Sequence, residues 1–118
     1  MFEAENIKDW QGKDVVDRDG AKVGSLESIY YDTSRDVPTF ATVKVGIVGR
    51  HRLVFVPLAG AVVSPGSLKV TAEKARIKDA PSIDVDGALT LEEEPAVFEY
   101  YDLVYERGVG GERRLGRR

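Results

Sequence analysis

Apolar and polar positions alternate with a short period through the first two thirds of the chain, and turns containing glycine or proline interrupt the alternation at roughly 8–12-residue intervals. Asp19-Gly20 separates Val15-Val16 from the run Val23 to Tyr31. This predicts a hairpin, because glycine reaches the positive φ that a tight turn needs. In the second strand the inward set reads as Val23, Leu26 and Tyr30 with a bulge, and Gly24 is the place for a kink. The polar turn Asp32 to Asp36 follows, and Pro38 opens a strand whose core face is Ala41, Val43, Val45 and Ile47. After the turn Gly46 to Arg50, the segment His51 to Leu58 contains the continuous apolar run Leu53-Val54-Phe55-Val56, the pattern of a strand buried on both faces. Ser64-Pro65-Gly66 joins Ala61–Val63 to Leu68–Thr71, and a last strand is expected over Lys74 to Lys78, before Pro81. About six short strands predict a mainly β fold, a small barrel or sandwich.

From Ser82 to Tyr105 the period changes. Thr90 and Glu93 have the spacing of a capping box, so a helix is expected from Leu91. Val97, Tyr100, Tyr101 and Val104 would share one face of it, flanked by Phe98 and Tyr105. This is a short amphipathic C-terminal α-helix packing on the barrel, with Pro95 in its first turns. A smaller turn is expected at Asn6 to Trp10, and everything after Arg107 reads as a disordered Gly/Arg tail. The organisation is therefore a β-barrel domain over 1–82 with a short N-terminal lead, an acidic loop and helix over 83–106, and a tail over 107–118.

Composition narrows the function. The chain has 118 residues, 42% hydrophobic and 31% charged, the size and balance of one globular domain and not of a disordered or fibrous chain. No apolar run approaches the ~18 residues of a membrane span, and the start has no basic flank followed by an apolar segment, so the chain reads as cytoplasmic. Cysteine is absent and His51 is the one histidine, which removes disulfides, thiolate metal sites and cysteine nucleophiles and leaves little for a zinc site or a triad. The expectation is no enzyme, no catalytic residues and no cofactor. A net charge of −3 argues against a dedicated nucleic-acid binder. That charge is uneven: residues 107–118 hold five arginines against one glutamate, +4, so the other 106 residues carry −7.

Three groups of residues invite chemistry. Asp84, Asp86, Gly87 and Glu93 match part of a calcium loop, but Ser82 stands at the first ligand position and Pro81 denies the loop an incoming helix. The plainer reading is a solvated turn, with no metal. His51, between Arg50 and Arg52, reads as a polar hairpin rim rather than a general base. Phe98, Tyr100, Tyr101 and Tyr105 exceed what one face of a short helix needs for packing, and with Trp10 they form the candidate partner-binding patch, including a homodimer contact. Arg107, Arg113 and Arg114, with Arg50 and Arg52, are the candidate contacts to RNA, a ribosome or another anionic surface.

The order of these segments resembles a known family. Asp14 to Asp32, with Lys22-Val23-Gly24-Ser25-Leu26 leading to an acidic turn, looks like the first hairpin of PRC-barrel domains. Phe40 to Val45 followed by Arg52-Leu53-Val54-Phe55-Val56-Pro57-Leu58 resembles the family's "-VPL" strand, and Lys74 to Pro81 its closing strand, the likeness spanning about residues 9–82. The resemblance implies a small β-barrel of about six strands that serves as a binding or assembly platform, with no shared catalytic residues. The family includes the cytoplasmic domain of the reaction-centre H subunit and the C-terminal domain of a ribosome maturation factor, and neither role transfers to this chain by resemblance alone. Glu99-Tyr100-Tyr101 is similar to the C-terminal helix of stand-alone relatives that continue "YYGL"; here Asp102 replaces that glycine.

Overall fold

The computed structural model describes residues 10–47 and 49–117. The expected turn at Asn6 to Trp10 lies, except for Trp10, outside the described residues. The chain runs β1 (Asp14–Val16), β2 (Lys22–Asp32), β3 (Val37–Val45), β4 (Arg52–Pro57), β5 (Val62–Ser64), β6 (Ser67–Lys69), α1 (Lys74–Lys78), β7 (Ser82–Asp84), α2 (Glu94–Tyr100) and β8 (Leu115–Arg117). The strands form one mainly antiparallel sheet in the order β5-β6-β1-β2-β3-β4-β7. β6 pairs with β1 in parallel. Strand β8 pairs with the C-terminal half of β2, on the edge that β1 leaves open. Among the described residues the path ends at β5 and β7, so the sheet curls around a core without closing.

The first hairpin forms as its sequence predicts. Gly20 has φ 86°, and the Asp17 carboxylate accepts the N–H groups of Asp19 and Ala21 at 2.9 Å each. Gly24 is a close-approach glycine, because a Cβ there would lie 2.1 Å from the Lys44 carbonyl oxygen on β3. The bulge of β2 falls at Glu27, where Leu26 pairs with Val43 and Ser28 with Thr42. It shifts the side-chain alternation by one, so the inward set is Leu26, Ile29 and Tyr31. Tyr30, expected on that face, belongs to the opposite one.

Strands β3 and β4 pair in unbroken register from Phe40↔Pro57 to Val45↔Arg52. Leu53 to Val56 are all buried, as the continuous apolar run predicts. Ala41 and Val43 point into the core, but Ile47 is 70% exposed, because Gly46 (φ 100°) turns the chain outward before it.

The alternation divides the apolar residues into two cores. Val15, Leu26, Ile29, Val43, Val54, Val56, Leu68 and Ile77 fill the inside of the curled sheet. Tyr30, Phe40, Leu53 and Phe55 form the outer face, and Leu89, Val97, Phe98, Tyr101 and Leu115 cover it. All the buried residues that cover the outer face come from after α1.

Three elements differ from the sequence reading, the first being strand β7 (Ser82–Asp84), where an acidic loop is expected. Lys74 to Lys78 is helical, not a strand. Its Ala, Arg and Lys residues favour helix, it buries Ile77 alone, and the Asp17 carboxylate accepts the Lys74 N–H at 3.0 Å, satisfying one orphan donor at its start. The disordered tail expected over 107–118 is also corrected: Leu115–Arg117 is a strand, and Leu115 is fully buried in the second core. Burying a leucine is worth roughly 1.5–3 kcal/mol, enough to dock a glycine-rich segment that has no other apolar anchor.

The helix begins as predicted, with a single 3₁₀ turn at Leu91–Glu93, where the Glu93 carboxylate accepts the Thr90 N–H at 3.0 Å and the Thr90 hydroxyl at 2.8 Å. Because the α-helical part starts only at Glu94, Pro95 stands in its first turn, where a missing N–H costs nothing. The helix stops at Tyr100, earlier than the aromatic spacing suggests. Asp102 takes φ 59°, and the Leu103 and Asp102 N–H groups return to the carbonyls of Phe98 (2.9 Å) and Glu99 (3.0 Å), a left-handed stop that glycine usually makes. Val104 is thereby removed from the helical face.

Candidate interaction surface

The aromatic residues proposed as a partner patch are engaged within the chain. Phe98 is buried with its ring 5.1 Å from both Phe40 and Tyr105, edge to face. Tyr101 is buried and donates its hydroxyl to the Phe55 carbonyl at 2.7 Å. Burial first, and then Tyr100 beside it, push its ionisation well above the usual tyrosine range. Tyr100 donates its hydroxyl to the Arg76 carbonyl, and the Arg76 guanidinium returns a hydrogen bond to the Tyr100 carbonyl at 2.8 Å. The same guanidinium lies 5.3 Å from the Tyr101 ring centroid, so Arg76 joins α1 to α2. Trp10 is half-buried against the first core, with Lys13 Nζ 4.2 Å from its ring centroid.

Glu94 organises the second core. It is fully buried, and its carboxylate accepts the Tyr105 hydroxyl at 2.7 Å and the backbone N–H groups of Arg114 (2.9 Å) and Leu115 (3.0 Å). Tyr105 is pushed up to about 12 by burial and then by that bond to Glu94. One carboxylate on α2 thus fastens the start of β8. Nothing in the sequence marks Glu94 apart from its neighbours Glu92 and Glu93, since three acids at a helix start also suit the dipole.

The candidate anion contacts divide. Arg50 and Arg107 are exposed. Arg52 donates to the Lys78 carbonyl at 2.5 Å, and Arg113 to the Leu89 carbonyl at 3.1 Å. Arg114 lies with Nε 2.9 Å from Asp32 Oδ2, both side chains largely buried, and donates to the Glu106 carbonyl. Burial raises Asp32, but Arg114 and the N–H groups of Ser34 and Arg35 override it and hold the carboxyl below its ordinary value. His51 is half-buried on the β3–β4 turn.

Asp84, Asp86 and Glu93 do not converge: among the described residues no three His, Cys, Asp or Glu side chains are grouped to hold a metal ion. Glu93 is held by Thr90, whose N–H and then hydroxyl keep its carboxyl below the usual range. Asp84 and Glu93 instead line a groove of about 370 Å³ beside β7, with Arg52, Ser82, Ile83, Gly87 and Ala88.

A family model for the PRC-barrel domain matches residues 2–77, well over half of the sequence. The chain belongs to the PRC-barrel family. The comparison with curated proteins returns no match. The matched PRC-barrel region ends at Ile77, the last contributor to the first core. Apart from Tyr30, Phe40, Leu53 and Phe55 on the sheet itself, the buried members of the second core lie beyond the match. In this PRC-barrel protein the residues after Ile77 therefore act as a cap on the outside of the family's sheet.

With the cap in place, the exposed large aliphatic residues among the described residues are Val37, Ile47, Val62, Val85, Leu103, Val104 and Val109. Val62 stands on edge strand β5, and Val85 directly follows edge strand β7. Leu103, Val104 and Val109 stand on the loop between α2 and β8. Sequence reasoning placed Val104 on the helix and Val109 in a tail. The helix stops short of Val104 because Asp102 takes the left-handed conformation.

Proposed function

We propose that this PRC-barrel domain is a non-enzymatic interaction module that forms a homodimer and docks a protein partner along the free edge of β7. The observation that carries the reading is that edge and the groove beside it. The Phe55 N–H donates to the Pro81 carbonyl at 3.2 Å, so by the alternation of an antiparallel ladder Ile83 faces β4, while Ser82 and Asp84 turn their backbone groups outward. The Asp84 carbonyl is taken by the Gly87 N–H at 2.9 Å, which leaves the Ser82 N–H and carbonyl for an added strand. Arg52 and Glu93 give the groove both signs of charge, and Ile83 and Ala88 give it apolar lining. The non-enzymatic reading is supported by the chain's supply of reactive groups, one histidine and no cysteine, and by membership in a family of assembly platforms.

The test is affinity purification from the native host with the full chain as bait, after nuclease treatment, beside the Ser82→Pro variant. Proline removes an N–H that no internal strand uses. A protein retained by the wild-type chain and lost with Ser82→Pro at unchanged melting temperature is the expected result. Recovery that depends on RNA, or equal retention by the variant, would overturn docking at this edge.

A further inference from the structure

Two of the most exposed aliphatic side chains stand on one loop. Val104 is 84% and Val109 82% exposed, and Leu103 beside them is 39% exposed. A single exposed valine needs no explanation, but a group of three on a fixed loop does. The loop is fixed. The Gly108 N–H donates to the Glu112 carbonyl at 2.9 Å and the Gly111 N–H to the Gly108 carbonyl at 3.0 Å. The Thr33 hydroxyl donates to the Arg113 carbonyl at 2.6 Å, and Arg114 to the Glu106 carbonyl at 2.9 Å. A Cβ at Gly108 would lie 2.8 Å from the Arg113 carbonyl oxygen, so this turn is packed closely on itself. The valines are therefore held out to solvent by an internally bonded frame, and a partner meets them already ordered.

The charges around them select the partner. Asp102, Glu106 and Glu112 share the loop with Arg107 and Arg113, and all five are exposed, Asp102 beside Arg76. A nucleic acid or an anionic bilayer would meet three carboxylates. A partner of one uniform sign would meet like charges. An apolar centre with a rim of both signs fits a second copy of itself, related by a two-fold axis that brings the acids of one loop to the arginines of the other. We propose that the loop over residues 102–113 is the self-association surface of this chain, with Val104 and Val109 at its centre and Glu106 paired to Arg107 of the second copy. This rests on the homodimer reading above.

The experiment is sedimentation of the full 118-residue chain across a concentration series, with melting curves to show that each variant folds. The wild-type chain is expected to dimerise. Val104→Asp with Val109→Asp should weaken the dimer by at least about 100-fold, since each buries a charge at the centre of the contact. Glu106→Arg and Arg107→Glu should each weaken self-association, and an equimolar mixture of the two should restore it, because each acid then meets an arginine. A dimer that survives the aspartates in a folded variant, or a mixture that fails to associate, overturns this surface while leaving the homodimer standing. A wild-type chain that stays monomeric overturns both.

Discussion

Replacing Glu94 by glutamine keeps the shape of the side chain and removes one of its two acceptor oxygens. Three donors converge on that carboxylate: Oε1 takes the Tyr105 hydroxyl and the Arg114 N–H, and Oε2 takes the Leu115 N–H. Whichever way the new amide is turned, its NH₂ faces at least one backbone N–H. The cheaper orientation points it at Leu115, losing one bond to a charged acceptor, about 1.5–3 kcal/mol, and weakening the two that remain. Glutamine also escapes the cost of burying a charge, which keeps the loss from growing further. The backbone donors cannot turn away while β8 stays paired with β2, so the hydrogen-bond loss wins, and the net is about 2–4 kcal/mol against a total stability of roughly 5–15. With a urea slope of about 1.5 kcal/mol per M, the unfolding midpoint falls by about 1.3–2.7 M. Hydrogen exchange gives the local readout: the Leu115 amide loses protection before the amides of β3 and β4. A midpoint within about 0.3 M of wild type, with Leu115 still protected, refutes the clamp.

Three further outcomes follow from the same contacts. Leu115→Ala is expected to cost about 2–5 kcal/mol in chemical unfolding, the range for a fully buried leucine, whereas a tail free in solution would cost nothing. Asp17 is held below its ordinary value by the Lys74 N–H, then by that of Ala21, and Asp32 is held low as described above. Groups depressed in the folded state add stability above the unfolded value of about 4 and lose it as the pH falls from about 5 downward. Asp17→Asn should therefore flatten the acid limb of a stability–pH curve, and an unchanged slope would contradict the assignment. Asp102→Gly removes the left-handed strain of a non-glycine residue, about 1 kcal/mol, and loses an exposed pair with Arg76 worth less than that. A melting temperature raised by a few degrees is expected, and a lowered one would show that the pair matters more than the backbone.

The sheet was legible because its signals are local. Asp19-Gly20 marks a turn through the positive φ of its glycine, Pro65-Gly66 interrupts two short strands, and Leu53 to Val56 announce a strand buried on both faces. What could not be read depends on distant partners. Helix α1 buries one residue in five, and its Lys74 N–H donates to Asp17, 57 residues earlier, so the local pattern did not separate it from a strand. Glu27 looks like any polar strand position, yet its bulge decides which face Tyr30 serves. The aromatic residues read as an excess for one helix face, but the helix ends at Tyr100, and Tyr101 and Tyr105 lie beyond it. Their surplus is absorbed by the outer face of the sheet and by Arg76, which no helical spacing reveals. Leu115, alone among glycines and arginines, reads as tail until Glu94 is seen holding its amide.

The cap also changes what the charge distribution can do. In sequence the arginines of 107–118 are separate from the acids between Asp84 and Asp102. In the fold they are neighbours: Arg113 donates to the carbonyl of Leu89, Arg117 to that of Gly87, and Arg114 lies against Asp32. The field of Arg114 is partly cancelled by Asp32, whereas Arg113 and Arg117 meet backbone carbonyls and stay exposed. A free tail with five arginines would contribute up to five released counterions on a polyanion, whereas cations held beside carboxylates contribute fewer. An RNA or ribosome contact through Arg114 would need its buried pair with Asp32 to open. Self-association through the Val104–Val109 loop needs no such opening, since the rim charges and the valines already face solvent. The same packing that fixes the tail thus takes Arg114 out of the set of arginines open to a polyanion.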